Sequence, residues 1–361
     1  MIAQRVLRIG NALQAHPRGG REMLSRLHAD ALRELFADGF SEFELHKPAR
    51  VASITGAVFH GLVDGLSSAT LAQLVEVVRE LGIEDAWIDG SNLGAAAAAL
   101  RHHCPGVRIT TFFHNCEARF FLDAFRRRPT PHAAGVLLAN ARAERMAIGS
   151  SHRLACLNAR DGRQLARWHG RGADALLPMA LRDLWRGEET HAPRHADPYA
   201  LFVGGDFYAN RHGIEWFADE VAARSPIRVV VVGKGMERHA LRLERNGHVE
   251  VIGEVDDLAA WYMGASFVVA PIFGGSGMKT KVTEALMFGK RVVGTPEAFA
   301  GYEEHAGKIG IVCRDASEFL AAIEGEVRRS PASFCQELRH LYQTHFSYDA
   351  AKARIRAIMG A

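Results

Sequence analysis

The stretch Phe267-Val268-Val269-Ala270-Pro271-Ile272-Phe273-Gly274-Gly275-Ser276-Gly277-Met278-Lys279-Thr280-Lys281-Val282-Thr283-Glu284-Ala285-Leu286 decides how the chain is read. Its opening run, Phe267 to Ile272, has the near-continuous hydrophobicity of a strand buried on both faces of a parallel sheet. Its closing part has helical spacing and runs on to Gly289, a natural C-terminal stop. A glycine-rich turn therefore joins a buried strand to a helix N-terminus, with two lysines and a carboxylate in the first turns. Backbone N–H groups at a helix start, reinforced by the helix dipole, bind phosphate. Lys279 or Lys281 adds a mobile positive charge. Glu284, further along the same helix, can accept hydrogen bonds from sugar hydroxyls. One short segment thus offers partners for both the diphosphate and the ribose of a nucleotide-sugar.

Strand and helix patterns alternate on both sides of this segment. In the first half, Val6 to Ile9, Phe40 to Leu45, Ala86 to Asp89, Arg108 to Phe113, Arg153 to Leu157 and Ala175 to Pro178 read as strands. Glu22 to Phe36, Ser67 to Leu81 with Ser67 or Ser68 as a cap, and Asp161 to Trp168 read as helices. Ala95 to Ala99 reads as part of a tightly packed helix, and a long helical region runs to about Ile148. Arg182 to Pro198 is polar, punctuated by Pro193 and Pro198, and reads as a linker. Alternation then restarts: Ala200 to Val203, a helix from about Gly213 to Arg224, Arg228 to Val232, Val249 to Ile252, a short helix through Trp261, the quoted strand, and Arg291 to Val293. Repeated strand–helix units with short loops mean parallel sheets covered by helices. The pattern predicts an α/β chain of two Rossmann-like parallel-sheet domains facing across a cleft, with ligands at the carboxyl ends of the strands. The divisions are residues 1–182, 199–340, and a C-terminal helix over 341–361 with the option of packing back on the N-terminal domain.

Composition agrees with about two domains of ~150 residues: 361 residues, 48% hydrophobic and 24% charged. A net charge of +3 is too small to argue for nucleic acid. Arg126-Arg127-Arg128 reads first as a solvated helix end and second as a contact for an anionic membrane surface. The scattered cysteines, Cys104, Cys116, Cys156, Cys313 and Cys335, show no zinc or Cys-x-x-Cys spacing and suit a reducing cytoplasm. The first residues carry no long apolar core of a signal peptide, and no run approaches the ~20 apolar residues that span a bilayer. No Gly-x-Ser-x-Gly elbow, His-Glu-x-x-His or Walker loop occurs, against hydrolase, zinc protease and P-loop readings.

The quoted segment, running on to Lys290-Arg291-Val292-Val293-Gly294-Thr295, closely resembles the C-terminal donor site of retaining GT-B glycosyltransferases of the GT4 type. In that family the helix after the loop carries Glu-x7-Glu. Glu284 matches the second glutamate, which in the family holds the donor ribose, and the first falls at Ser276. The resemblance makes Gly275, Ser276, Gly277, Met278, Lys279 and Thr280 the phosphate loop, with Lys281 and the loop amides stabilising the departing diphosphate.

Phe112-Phe113-His114-Asn115-Cys116-Glu117 ends a strand with a polar cluster, where functional residues of such sheets concentrate. It looks like the family's N-domain loop, whose histidine lies close to the donor sugar; Asn115 and Glu117 are then sugar or acceptor contacts. Gly19-Gly20 resembles the family's N-terminal glycine loop, with Arg18 and Arg21 beside it. Gly204-Gly205-Asp206-Phe207-Tyr208-Ala209-Asn210-Arg211-His212-Gly213 matches the loop that carries an arginine and a lysine in the family. Those positions here are Gly205 and His212, so Arg211, Lys279 and Lys281 are the substitutes, Lys281 first; Asn210 reads as a helix cap. Gly233-Lys234-Gly235 and Val255 fall where the family meets the nucleotide base. Asn158 to Asp161 resembles a common N-domain segment, and Asp161 reads as a cap.

No Asp-x-Asp ends a strand, so no metal is implied and no cofactor is expected beyond a nucleoside-diphosphate-sugar co-substrate. The resemblance implies sugar transfer with retention to a hydroxyl of a glycan or lipid-linked glycan of a bacterial surface polysaccharide. It also implies a cytoplasmic location with peripheral contact at the inner face of the membrane. A nucleotide-sugar 2-epimerase of the same fold, with Glu117 as its acid–base candidate, and a catalytically silent GT-B-like partner subunit are the alternatives.

Overall fold

The computed structural model describes residues 4–14, 19–46, 54–187, 197–329 and 334–361. The turn residues His16 to Arg18 and the linker residues 188–196, Pro193 among them, lie outside these ranges.

The chain divides into two compact units, Met1–Pro178 with Tyr348–Ala361, and Met179–Ser347. In the first unit, β1 (Val6–Asn11), β2 (Phe40–Leu45), β3 (Asp85–Asp89), β4 (Arg108–Phe113), β5 (Arg153–Cys156) and β6 (Ala175–Leu176) form one sheet in the order β2-β1-β3-β4-β5-β6. Every pairing is parallel, with Val6 opposite both Phe40 and Asp85. Strand order therefore reverses at β1, between β2 and β3, and the loops leaving β1 and β3 flank that point. Leu7, Ile9, Ile88 and Ile109 are buried in one core layer together with Leu74, Val78 and the alanines of the helix Gly94–His103.

The long helical region reads differently in the fold. It is two helices, Glu117–Arg127 and Pro131–Ser150. Pro131 breaks the run because its ring fixes φ and it has no N–H to give, so it opens the second helix instead. Thr130 Oγ1 caps that helix by accepting from Ala133 N at 3.1 Å. Sequence patterning also passed over a short helix, Ile54–His60, which packs on Pro131–Ser150.

The second unit repeats the plan. β7 (Tyr199–Val203), β8 (Arg228–Val232), β9 (Val249–Gly253), β10 (Phe267–Ala270), β11 (Val292–Gly294) and β12 (Gly310–Val312) are ordered β12-β11-β10-β7-β8-β9, again all parallel. Here the order reverses at β7, between β10 and β8. The glycine-rich loop after β10 and the loop after β7 thus end side by side at the switch point.

The division falls four residues before 182 and returns at Tyr348 instead of 341, and side chains explain both shifts. Tyr342 Oη donates to Leu181 O at 2.9 Å, and Arg339 Nη1 donates to Asp183 Oδ1 at 2.8 Å and Met287 O at 3.0 Å. These contacts hold the first residues after Pro178 and the last before Ser347 in the second unit. The helix Tyr348–Met359 belongs to the first unit, packed on the helix Gly20–Phe36. Lys352 Nζ reaches Glu34 Oε2 at 2.9 Å, and Arg153 donates to Ile358 O.

Candidate functional site

In the second unit the loops after three strands are stitched together by main-chain bonds. Gly204 N donates to Val232 O at 2.9 Å, Asp206 N to Lys234 O at 2.9 Å, and Gly233 N to Gly253 O at 2.7 Å. The glycine-rich loop comes in from β10. Gly275 and Gly277 take φ of 115° and 65°, the left-handed region that a side chain disfavours. These two turns bring the backbone round so that the helix Thr280–Met287 starts directly after Lys279.

Lys281, in the first turn of that helix, is buried. Its Nζ donates to Asn210 Oδ1 at 2.9 Å and lies 4.2 Å from the centroid of the Phe202 ring on β7. Asn210 Nδ2 in turn donates to Gly205 O at 3.0 Å. The ammonium therefore sits at the switch point, tied through one amide to the loop after β7. Burial in this largely apolar surround pushes its pKa down to about 7, against the pull of Glu284. Glu284, one turn further on, is partly buried, and its Oε2 accepts from Tyr262 Oη at 2.7 Å. Burial raises the Glu284 carboxyl above its ordinary value, while the Tyr262 bond and Lys281 oppose the rise. Behind the helix start, Tyr302 Oη donates to Lys279 O at 3.0 Å and meets Thr283 Oγ1 at 2.6 Å, which fixes the pitch of the first turn.

Several expected residues stand differently in the fold. The helix after β7 is Tyr208–Glu220, five residues ahead of the expected start. Arg211 and His212 are thus helical residues, and the loop proper is only Gly204 to Phe207. Asn210 does not cap the helix. It lies in the first turn, where its side chain bridges Gly205 and Lys281 instead. Arg211 Nη1 pairs with Asp206 Oδ1 at 2.9 Å. Lys279 Nζ donates to Gly277 O at 3.0 Å and to Glu297 Oε1 at 2.9 Å, so it clamps its own loop while Lys281 faces the switch point. The Met278 side chain is buried, with Sδ accepting from Met179 N at 3.4 Å, and leaves only its backbone to the loop surface. Ser276 and Thr280 are partly buried on the same turn. Lys234 Nζ is exposed and held by Glu254 Oε2 at 2.7 Å, beside partly buried Val255.

In the first unit, His114 directly follows β4 and points at the end of β3: its Nε2 lies 3.0 Å from Asp89 Oδ1. Asp89 Oδ2 accepts from Arg8 Nη2 at 2.7 Å, and Arg8 also reaches Glu42 at 3.3 Å. Burial alone raises the Asp89 carboxyl, but Arg8 and His114 outweigh it and hold it well below the usual range. An ionised Asp89 accepts, so Nε2 carries the hydrogen and Nδ1 is the acceptor nitrogen of a neutral ring. Burial also lowers the His114 pKa despite Asp89. His28, closed in by Trp87 at 5.5 Å and Phe112 at 4.5 Å between ring centroids, has its pKa pushed by burial down to about 3. It adds no charge to the cluster.

Gly19 takes φ 113° and its carbonyl accepts from Met23 N at 3.1 Å, opening the helix at Gly20. Arg21 Nη2 donates to Asn92 Oδ1 at 2.9 Å and Nη1 lies 3.7 Å from Glu117 Oε1. Asn115 is partly buried between His114 and Cys116. Burial pushes the Glu117 carboxyl up to about 7, with Glu144 and Asp64 adding to the rise against Arg21. Glu144, which no motif singled out, accepts from Glu117 N at 2.6 Å and faces His169 Nε2 at 2.8 Å. A carboxylate of the chain itself therefore sits on that helix N-terminus. Asn158 is the cap of its helix, accepting from Asp161 N at 2.9 Å, and Asp161 answers it from the third position.

Residues 197–327 match the family described as glycosyl transferases group 1. The match lies wholly inside the second unit and contains the glycine-rich loop, Lys281 and Glu284. No curated protein matches the chain. Among solved structures it is similar to sucrose-phosphate synthase from Thermosynechococcus elongatus, with 15% identity, TM-score 0.71, and 99% of this chain and 98% of that one covered. Anabaena HepE in complex with UDP-glucose gives 13% identity and TM-score 0.66 over 99% of both chains. The trehalose-phosphate synthase of Burkholderia vietnamiensis gives 14% identity and TM-score 0.67, over 99% and 97%. Likeness at these identities is one of fold: two parallel α/β units of the GT-B glycosyltransferase type. Together with the family match, it supports a transferase.

Proposed function

We propose that the chain is a retaining glycosyltransferase of the GT4 type that uses a nucleoside-diphosphate-sugar. The observation that carries this reading is Lys281: a buried ammonium at the switch point of the second sheet, bridged by Asn210 to the loop after β7 and standing at the start of the helix that follows the glycine-rich loop. A diphosphate set there meets the Gly275 to Gly277 amides and the Lys281 charge together. Glu284, aimed by Tyr262, then accepts from the ribose. Anabaena HepE is named as a complex with UDP-glucose, which supports a donor of that chemical class.

In the reaction, the bond between the anomeric carbon and the diphosphate oxygen breaks and its electron pair leaves on the diphosphate. An acceptor hydroxyl bonds to the same face of that carbon, and its proton passes to the departing phosphate. Charge grows on the leaving oxygens, and a fixed ammonium with loop amides stabilises it more strongly in the transition state than in the donor. His114 positions the sugar with the nitrogen turned away from Asp89. The acceptor in this reading is a glycan or lipid-linked glycan of a surface polysaccharide, handled in the cytoplasm at the inner face of the membrane. No metal takes part.

One observation favours a second reading. Glu117, at about 7, keeps a proton near neutrality, as an acid–base group of a nucleotide-sugar 2-epimerase would. An epimerase forms product with no acceptor present, and a transferase does not.

A thermal-shift screen against nucleoside diphosphates and their sugars tests the donor site. A ligand at about 100 times its Kd adds roughly 2.7 kcal/mol to the folded state. A selective shift in the wild type that falls to about a third in Lys281→Met and is reduced in Glu284→Gln supports the reading. No shift with any donor overturns it in favour of a silent subunit.

A further inference from the structure

The helices Glu117–Arg127 and Pro131–Ser150 form a hairpin in the first unit, and the helix Ile54–His60 lies against its second arm. Helices this well packed normally turn their large apolar side chains inward. Here Phe59 is 66% exposed and Leu138 57% exposed. Arg142, one turn beyond Leu138, donates from Nε to Phe59 O at 3.4 Å, so the end of the short helix lies against that part of the hairpin. Leu138, Arg142 and Arg145 follow at spacings of four and three residues, which places them on one face of the helix. Arg142 and Arg145 are exposed, and so are Arg126 to Arg128 at the turn of the hairpin.

Charge on this hairpin is one-sided. Residues 117–150 hold six arginines and three carboxylates, and two of the carboxylates, Glu117 and Glu144, are buried. Asp123 is left facing solvent, near Arg119 and Arg126 at 3.8 and 4.0 Å. The surface therefore combines two protruding apolar side chains with a surplus of guanidinium groups.

We infer that this face docks on an anionic lipid bilayer. Phe59 and Leu138 enter the headgroup boundary, where burying apolar surface is favourable, and the arginines meet lipid phosphates. The apolar pair argues for a bilayer over a nucleic acid, because a phosphate backbone gives Phe59 and Leu138 nothing to be buried in. The inference specifies the membrane contact of the function proposed above. It requires no donor chemistry, so failure here leaves the Lys281 site untouched.

The test is co-sedimentation of the full chain, without nucleotide, with vesicles of phosphatidylcholine alone and of phosphatidylcholine mixed with phosphatidylglycerol. Binding is expected only to the anionic vesicles and should weaken as salt rises. Each guanidinium near the surface is worth about fivefold in partition, so replacing Arg126, Arg127 and Arg128 by Gln lowers it about a hundredfold. Phe59→Ser with Leu138→Ser lowers it further at equal charge. All five side chains are solvent-facing, and an unchanged circular dichroism spectrum and melting point confirm that the fold survives. Absence of binding to the anionic vesicles overturns the inference. So does equal binding to neutral ones, or binding to duplex DNA that the arginine variant loses while vesicle binding is unchanged.

Discussion

A lysine that titrates near neutrality makes donor binding depend on pH, and the size of the effect follows from its surroundings. Lys281 Nζ has a neutral partner, Asn210 Oδ1, and a ring face from Phe202, with Lys279 nearby and the Glu284 carboxyl turned to Tyr262. With a pKa of about 7, the free protein carries the ammonium in roughly nine molecules of ten at pH 6 and in one of ten at pH 8. A diphosphate selects the charged form. Apparent Kd is the intrinsic value divided by the competent fraction, so affinity falls about tenfold between those two pH values. UDP-glucose is the suitable probe, because both of its phosphates stay ionised throughout and contribute no titration of their own. Calorimetry at pH 7.5 in buffers of different ionisation heat should show uptake of a fraction of a proton on binding. Lys281→Met removes both the uptake and the slope and weakens binding by about 2 kcal/mol, roughly thirtyfold. The stability of the ligand-free protein moves the other way. The folded chain holds this proton more weakly than the unfolded chain, where the value returns to 10.5, so this residue's contribution to stability rises with pH from about 7 to 10.5. A flat binding profile in the wild type, or a slope that survives in Lys281→Met, refutes the reasoning.

Two further substitutions probe the supports. Asp89→Asn leaves the buried Arg8 guanidinium with only the partial compensation of Glu42, and breaking a buried pair costs about 3–5 kcal/mol, so the urea midpoint should fall steeply; a midpoint equal to wild type contradicts the ion-pair account. Gly213→Ala would set its Cβ 1.8 Å from Pro271 O. A backbone oxygen cannot swing aside, so at least about 2 kcal/mol of stability should be lost and the helix Tyr208–Glu220 displaced, which a wild-type melting point would disprove.

Much of the architecture was legible because it is periodic. Phe40–Leu45, Arg108–Phe113 and Arg228–Val232 are strands to the residue, since alternation and β-branched runs are local signals. The start at Tyr208 was missed because Asn210 and Gly213 look like turn residues. Only a neighbouring β10 loop makes a glycine useful inside that helix, and a capping preference carries no news of a lysine 71 residues away. Tyr262 was invisible for the same reason: nothing in Trp261-Tyr262 announces a carboxylate 22 residues further along the chain.

The sequence by itself determined the parallel α/β class, the glycine turn before a helix start, and the presence of Lys281 and Glu284 on that helix. These rest on hydrophobic period, on the glycines of the turn, and on residue type. Tertiary structure decided which groups do what. Strand order brings β10 beside β7, and so Asn210 to Lys281. Parallel register sets Asp89 against His114 and Arg8. Side-chain packing turns Lys279 back to Glu297, buries Met278 and lifts Glu117 to about 7. Burial and pairing are properties of the environment, and the environment exists only once residues far apart in the chain have packed together.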